Sequence, residues 1–170
     1  KTYKMQTVPS MAAGWIAVML LALVPARAQE LKKLSLDDTS TLGLSVQADA
    51  AVKVEGKASL RITTARPTTV CLGEVTGLDV DDVRLVFKAK VKTELEGGAF
   101  LEMWVTVGAG EFFSKGLDNQ AAGKSDWKNI QAMFLLKKGE KAEKVTLNVV
   151  VNGKGTVWVD DVVLSREPPK

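Results

Sequence analysis

The side chains that could carry out chemistry in this chain of 170 residues are carboxylates, amides and indoles, because the sequence contains no histidine, one cysteine and one tyrosine. The lack of histidine excludes Ser-His-Asp and Cys-His catalysis and zinc sites with histidine ligands. A retaining glycosidase needs two carboxyl groups about 5–5.5 Å apart. Glu102 is a candidate for one of them and Glu74 or Glu111 for the other, although no spacing in the sequence pairs them. The sequence therefore leaves two classes, a carboxylate enzyme and a protein that binds a ligand without chemistry.

Trp104 and Glu102 are the first candidate ligand-binding residues. They lie in a segment, residues 99–107, where apolar side chains alternate with others as in a half-buried strand. Apolar residues flank Trp104 on both sides, so the alternation turns Trp104 and Glu102 to the opposite face. An indole on an open face can stack on a sugar ring, and a carboxylate beside it can accept hydrogen bonds from sugar hydroxyls. The alternative is that Phe100 and a loop cover this face and that Trp104 is a core residue.

Asn129, Gln131 and Asn148 are candidate hydrogen-bonding residues for the same ligand. Each of them occupies a polar position in the alternation of a late strand. If those strands share a sheet with Trp104, the amides supply directional hydrogen bonds beside a stacking ring, which is the usual composition of a sugar cleft. The alternative for each amide is a solvated face of the sheet.

The elements that must position these residues are β-strands. Apolar residues alternate with polar ones in several segments, glycine-rich turns separate the segments, and no segment has a long apolar period of 3.6 residues. The run at residues 152–155 contains two glycines and is typical of a tight hairpin between two strands. These patterns predict an all-β fold, a two-sheet antiparallel β-sandwich or jelly roll of about eight to nine strands. The strand-like segments are residues 60–62, 70–72, 83–91, 99–107, 130–136, 145–151 and 156–164.

Three short motifs occur in an order that resembles a known family. Residues 56–62 read GKASLRI, Trp127 opens a late strand, and residues 157–164, VWVDDVVL, form a closing strand with an apolar-Asp-Asp-apolar pattern. This order resembles the jelly-roll carbohydrate-binding modules of families four, nine and twenty-two, within the galactose-binding-like superfamily. The resemblance implies a non-catalytic β-sandwich of the stand-alone, secreted bacterial kind, with an oligo- or polysaccharide as its partner. The chain departs from the family at residues 36–47, where an aromatic residue is expected and none is present.

Asp160 and Asp161 are candidate metal ligands, together with Asp37 and Asp38. By alternation, Asp160 shares the core face with Val162, where a carboxylate is costly unless it is paired or bound to a metal. The resemblance implies a structural calcium ion held by an aspartate of this strand and an early acidic residue, and calcium takes six to eight oxygen ligands. The alternative is that Asp160 pairs with a basic side chain or with backbone N–H groups.

Residues 1–28 have the three parts of a secretory signal peptide. A lysine-bearing start precedes an apolar run at residues 11–24, and the sequence ARA at residues 26–28 matches a cleavage site. The alternative, a transmembrane anchor, needs about 20 apolar residues. We therefore expect a secreted or periplasmic protein, free of the membrane after cleavage, with a β-sandwich at residues 29–165 and a tail at residues 166–170.

The 142 residues after the signal peptide carry equal numbers of basic and acidic side chains, so their net charge does not favour a nucleic-acid partner. A basic stripe at residues 84–92 is either a site that attracts an anionic glycan or a solvated sheet face. Cys71 lies between a valine and a leucine, which favours a buried thiol over an intermolecular disulfide.

The sequence as a whole favours a secreted, non-catalytic β-sandwich that recognises a glycan. One alternative is a surface module for protein interaction or assembly, which would present a flat apolar patch. The other is a small glycoside hydrolase that uses paired carboxylates. Larger cell-surface or enzyme assemblies are the further partners that we expect for such a module.

Overall fold

The computed structural model describes residues 27–40, 42–43 and 45–169. Most of the predicted signal peptide, residues 1–26, lies outside the described residues. The described residues form eight β-strands and a short 3-10 helix, and the predicted all-β sandwich is confirmed. The elements are β1 (Gln29–Lys33), β2 (Val46–Asp49), β3 (Ser59–Thr64), β4 (Thr68–Thr76), β5 (Val83–Val107), β6 (Gly110–Lys115), the 3-10 helix (Leu117–Asn119), β7 (Ala121–Leu136) and β8 (Ala142–Glu167). In the described part of the chain, no helix is long and apolar enough to cross a membrane.

Two long strands, β5 and β8, pair antiparallel along their whole lengths and belong to both layers of the sandwich. Residues 83–94 of β5 and 155–167 of β8 lie between β7 on one side and β1 and β3 on the other, with β2 beyond β3. We call this layer the back sheet. Residues 98–107 of β5 and 142–151 of β8 lie between β6 and β4, and we call this layer the front sheet.

The core lies between the two sheets and contains alternate side chains from both of them. Leu85 and Phe87 of the back sheet are fully buried, as are Leu101, Met103 and Leu147 of the front sheet. Burying each such side chain stabilises the fold by about 1.5–3 kcal/mol relative to leaving it in water. The alternation that predicted half-buried strands is therefore the pattern that fills this core.

Glycines mark the bend where β5 and β8 pass from one sheet to the other. Gly97, Gly153 and Gly155 have φ angles of +129°, +147° and +138°, which side chains rarely permit. A Cβ atom on Gly153 would lie 1.9 Å from the carbonyl oxygen of Glu96, so the two backbones approach too closely for any side chain. The predicted hairpin at residues 152–155 is wrong, because these residues lie inside β8. Glycines that permit a tight turn also permit a sharp bend within a strand.

The two ends of the described chain lie side by side in the back sheet. β1 pairs with the end of β8, so that Gln29 is opposite Arg166. The side-chain oxygen of Gln29 accepts two hydrogen bonds from the Arg166 guanidinium group, of 2.6 and 2.9 Å. The next residue, Glu167, forms an ion pair with Arg84. These contacts extend β8 two residues into the predicted tail, and the strand ends before Pro168, which has no N–H to donate.

Candidate functional site

The outer face of the front sheet carries the two side chains that the sequence placed first. Trp104 and Glu102 lie on β5 and point away from the core, as the alternation predicts. Residues directly opposite each other on paired strands share a face of the sheet. The opposite residues are Thr146 and Asn148 of β8 and Phe113 and Lys115 of β6. We call these six residues the front site.

Glu102 is the polar centre of the front site. The residue is only 8% exposed, and its carboxylate accepts a 2.8 Å hydrogen bond from Nε1 of Trp104 and a 3.4 Å hydrogen bond from Nδ2 of Asn148. The ammonium group of Lys115 lies 3.5 Å from its other oxygen. Each carboxylate oxygen has two lone pairs, so Glu102 can hold the indole in place and still accept a hydrogen bond from a ligand.

Two aromatic rings form an apolar surface beside this carboxylate. Trp104 is half-buried, whereas Phe113 is 56% exposed. The ring centroids are 5.1 Å apart with an interplanar angle of 42°, and Nζ of Lys115 lies 5.2 Å from the Phe113 centroid. The front site thus combines aromatic surface that water can reach with an ammonium group and fixed hydrogen-bonding groups, which is the composition of a site that binds a ligand with polar and apolar faces.

The β4 edge of the same face adds a carboxylate and a thiol. Glu74 accepts a 3.2 Å hydrogen bond from the Thr146 hydroxyl, and its carboxylate lies 3.3 Å from Nζ of Lys144. Cys71 is opposite Asn148 and is exposed, so the prediction of a buried thiol is wrong. The physical reason is the alternation of β4, which turns Cys71 outward between two buried apolar neighbours.

Asn148 joins the front site, but Asn129 and Gln131 do not. Both lie on β7, opposite Lys90 and Lys88 in the back sheet. They could serve the same cleft as Trp104 only if β7 belonged to the front sheet. Because β7 pairs with the early half of β5, these two amides lie in the back sheet instead. Gln131 instead lines a cavity of about 280 Å³ between β6 and β7, which has Lys115 in its wall as well.

Phe113 and Lys115 are members of the front site that the sequence analysis missed. The pair Phe112-Phe113 is recognisable in the sequence as a place where one ring must approach the surface. The position of β6 beside Trp104 depends on the pairing register, which is set by the turn at residues 108–109 and not by the alternation of β6 itself.

The basic stripe lies on the outer face of the back sheet, and each of its four basic side chains has a carboxylate partner. The pairs are Arg84–Glu167, Lys88–Glu167, Lys90–Asp161 and Lys92–Asp126. The hydrogen bond from Arg84 holds the pKa of Glu167 below its usual value, against the opposing effect of burial. Because the stripe is neutralised within the fold, it is a weak candidate for binding an anionic glycan.

Asp160 is buried beneath the loop between β2 and β3 and accepts backbone hydrogen bonds. Its Oδ2 accepts from the N–H groups of Val54 (2.6 Å) and Glu55 (3.1 Å), and its Oδ1 accepts from the N–H of Asp161 (2.7 Å). It does not share the core face with Val162, because Asp161 has a φ of +50° and forms a bulge that shifts the alternation. The alternative of pairing with backbone N–H groups is the arrangement that the structure has.

Asp161, Asp37 and Asp38 do not complete an oxygen-lined metal site with Asp160. The Asp161 carboxylate lies 3.0 Å from Nζ of Lys33 and 3.1 Å from Nζ of Lys90. Burial, the largest single effect, raises its pKa, but the hydrogen bonds and the charges of the two lysines together outweigh burial and lower the pKa overall. Asp38 accepts a 2.9 Å hydrogen bond from the backbone N–H two residues on. Among the described residues, no three acidic or cysteine side chains are grouped to hold a metal ion, so these residues do not fit the calcium prediction.

No protein-family model and no curated protein matches the chain. Solved structures with a similar fold include the following three. A xylan-binding domain of carbohydrate-binding module family 22 has a TM-score of 0.56 at 8% identity, covering 84% of this chain and 97% of that domain. A family 16 carbohydrate-binding module has a TM-score of 0.52 at 9% identity, with coverages of 75% and 88%. A Stig cyclase from Fischerella has a TM-score of 0.50 at 16% identity, with coverages of 73% and 71%.

These likenesses establish the fold of the chain. The predicted resemblance to jelly-roll carbohydrate-binding modules is confirmed at the level of three-dimensional structure. The cyclase shares the same architecture, so the fold alone does not distinguish a binding module from an enzyme. The function has to be argued from the side chains of the front site.

Proposed function

We propose that this protein is a non-catalytic jelly roll that binds an oligo- or polysaccharide at the front site. The observation that carries the proposal is the half-exposed indole of Trp104, which lies beside the exposed ring of Phe113 and is fixed by a hydrogen bond to the buried carboxylate of Glu102. The C–H groups on one face of a pyranose pack well against such a ring surface.

The contacts of Glu102 favour binding over hydrolysis. Its neighbours are an indole N–H, an amide and the Lys115 ammonium group, which together hold the carboxylate in one position. A retaining glycosidase instead needs a second carboxyl group facing the first at about 5–5.5 Å. An ordered carboxylate beside a stacking ring lowers the conformational entropy that the protein must lose when it binds a sugar, because these side chains are already oriented.

Xylan is the first ligand to test, since the family 22 neighbour is a xylan-binding domain. The experiment is a glycan array with the purified protein, followed by calorimetric titration with the best ligand for the wild type, Trp104→Ala and Trp127→Ala. We expect Trp104→Ala to lose about tenfold or more in affinity, equivalent to ~1.4 kcal/mol. Trp127→Ala, which removes an indole from β7 of the back sheet, is the matched control and should bind as the wild type does. A folded Trp104→Ala protein with unchanged glycan affinity would overturn the proposal.

A second candidate function is a protein-interaction module, and a group of exposed apolar side chains near β6 and β7 favours it. These side chains are 44–52% exposed and are Phe112, Leu117, Met133 and Leu135. This alternative predicts no binding on the glycan array. It also predicts concentration-dependent self-association or partner binding that Leu135→Ser reduces and Trp104→Ala leaves unchanged.

We also propose export followed by cleavage after Ala28. The first strand of the sandwich begins at Gln29, so cleavage there would leave the whole fold intact. Sequencing the N-terminus of protein recovered from outside the cytoplasm tests this proposal, with Gln29 as the expected first residue. Recovery of the uncleaved chain in the membrane fraction would instead favour the anchor.

A further inference from the structure

A cluster of charged side chains joins three separate segments at one end of the back sheet. Nζ of Lys33, at the end of β1, forms ion pairs with Glu55 of the loop between β2 and β3 and with Asp161 of the β8 bulge. A cavity of about 300 Å³ lies here, and its wall also contains Asp37 and Asp160. Two carboxylates from distant parts of the sequence, those of Glu55 and Asp161, therefore contact one ammonium group of β1.

In this cluster, the oxygens of Asp160 and Asp161 accept hydrogen bonds from backbone N–H groups or contact ammonium groups. Both oxygens of Asp160 accept from backbone N–H groups, and both oxygens of Asp161 contact ammonium groups, those of Lys33 and Lys90. The backbone N–H of Leu34, the residue after Lys33, donates a 3.0 Å hydrogen bond to the carbonyl oxygen of Val162 and holds the end of β1 against the bulge. Glu55, Asp160 and Asp161 thus already have positively polarised partners supplied by the chain.

We propose that the ammonium group of Lys33 does the work that a divalent cation would do at this position. It links β1, the loop between β2 and β3, and β8 through Glu55 and Asp161, and so makes the fold independent of calcium. An ammonium group has three donors, which suffices for two carboxylates and a solvent molecule. This inference concerns the back sheet and does not rest on the glycan-binding function of the front site.

Removing this ammonium group exposes the carboxylates to one another. Glu55 loses the partner that Lys33 supplies, and Asp161 retains Lys90. Like charges that share a site repel, and a cation that binds oxygen ligands relieves the repulsion. A neutral residue at position 33 therefore converts an internally bridged cluster into one that responds to calcium.

The test compares thermal unfolding of the wild type, Lys33→Met and Lys32→Met in calcium chloride and in chelator at matched ionic strength. Lys32 is the exposed neighbour on the same strand and controls for loss of one positive charge. We expect the wild-type Tm to be the same with calcium and with chelator. We expect Lys33→Met to lose about 2–4 °C in chelator and to regain most of it in about 5 mM calcium, since weak protein sites bind calcium at about 10⁻⁴–10⁻³ M.

Several results would overturn the inference. A wild-type Tm that rises in calcium means that a metal ion, and not Lys33, completes the cluster. If Lys33→Met unfolds at the same Tm as Lys32→Met, the ammonium group of Lys33 does not bridge the segments. If calcium does not restore the Tm that Lys33→Met loses, the ammonium group does not take the place of a cation. If Lys33→Met fails to fold, Lys33→Gln takes its place. The comparison of the wild-type Tm in calcium and in chelator tests the inference independently of both variants.

Discussion

Phe112 and Phe113 are adjacent on β6 and similarly exposed, at 51% and 56%, but they lie on opposite faces. Phe113 contacts Trp104, whereas the ring of Phe112 lies 6.4 Å from that of Phe134. We expect Phe113→Ala to weaken glycan binding about three- to tenfold, because an aromatic neighbour contributes roughly 0.5–1.5 kcal/mol beyond its buried area. Calorimetric titration measures the effect, and Phe112→Ala is the matched control.

The same pair of variants has a readout that does not require a ligand. Phe113→Ala should shift the fluorescence of Trp104, whose ring it uncovers, while Phe112→Ala should leave the emission spectrum unchanged. Equal effects of the two variants on affinity would contradict the assignment of the ligand to the outer face of the front sheet.

At the scale of single residues, the sequence predicts well which face of a strand a side chain occupies, but it predicts poorly which side chains that residue contacts. The alternation of residues 99–107 places Trp104 and Glu102 on one outward face, and the structure has them there. The Nε1 hydrogen bond of Trp104 and the ion pair of Lys115 with Glu102 depend on which strands are neighbours. Periodicity carries no information on neighbours, because strand register is set by turns and by packing across the sheet.

The glycine bend is the element-scale feature with the sharpest mutational consequence. A Cβ atom at Gly153 would lie 1.9 Å from a carbonyl oxygen of β5, and the φ of +147° is unfavourable for any other residue. We expect Gly153→Ala to lower the free energy of unfolding by about 2–4 kcal/mol, since it adds a backbone clash to conformational strain of about 1–3 kcal/mol. Urea unfolding followed by circular dichroism measures this change.

Gly108→Ala is the control for the glycine bend. Gly108 also has a positive φ, of +55°, but a Cβ atom there would meet nothing within 4 Å. We expect it to cost about 1 kcal/mol, the conformational part alone. Gly108→Ala and Gly153→Ala proteins of equal stability would mean that β5 and β8 do not approach as closely at the bend as described.

The strands themselves follow from the sequence, but their continuity does not. Separate patterns at residues 83–91 and 99–107 are two halves of β5, and those at 145–151 and 156–164 are two halves of β8. The glycines between the halves are typical of turns in a sequence read locally. Only the pairing of β5 with β8 on both sides of the bend reveals that each chain segment continues from one sheet into the other.

At the scale of the whole molecule, three carboxylates predict how stability depends on pH. The pKa of Asp49 is lowered chiefly by the indole hydrogen bond from Trp158, and the pKa values of Asp161 and Glu167 are lowered as well. A carboxylate with a lowered pKa in the folded state stabilises the fold above its unfolded pKa, and this contribution is lost as the pH falls through the folded value. We therefore expect a flat Tm from about pH 6 to 8 and a steep fall below about pH 4.

Asp49→Asn separates one of these contributions from the rest. Its Tm should lie below that of the wild type at neutral pH, and the difference should shrink as the pH falls through the range in which Asp49 is protonated. A difference that stays constant from neutral pH to about pH 3 would mean that the charge of Asp49 does not contribute to stability.

The overall architecture was predictable because several independent signals agree on it. Alternation, glycine-rich turns and the order of the GKASLRI, Trp127 and VWVDDVVL motifs all point to a jelly roll. The prediction that Asp160 shares the core face with Val162 is wrong for a local reason, since one residue with a positive φ, Asp161, shifts the alternation and turns Asp160 to backbone donors. A single bulge of this kind leaves no periodic trace in the sequence.

The pairing of Gln29 with Arg166 has a practical consequence. Gln29 and Arg166 both lie in the back sheet, whereas Trp104 and Phe113 lie on the outer face of the front sheet. A reporter protein or a bead linked next to Gln29 or Arg166 would therefore leave the aromatic surface unobstructed. The same geometry makes the domain suitable for grafting into a surface loop of another protein, because its entry and exit are neighbours and would replace a loop without stretching the host.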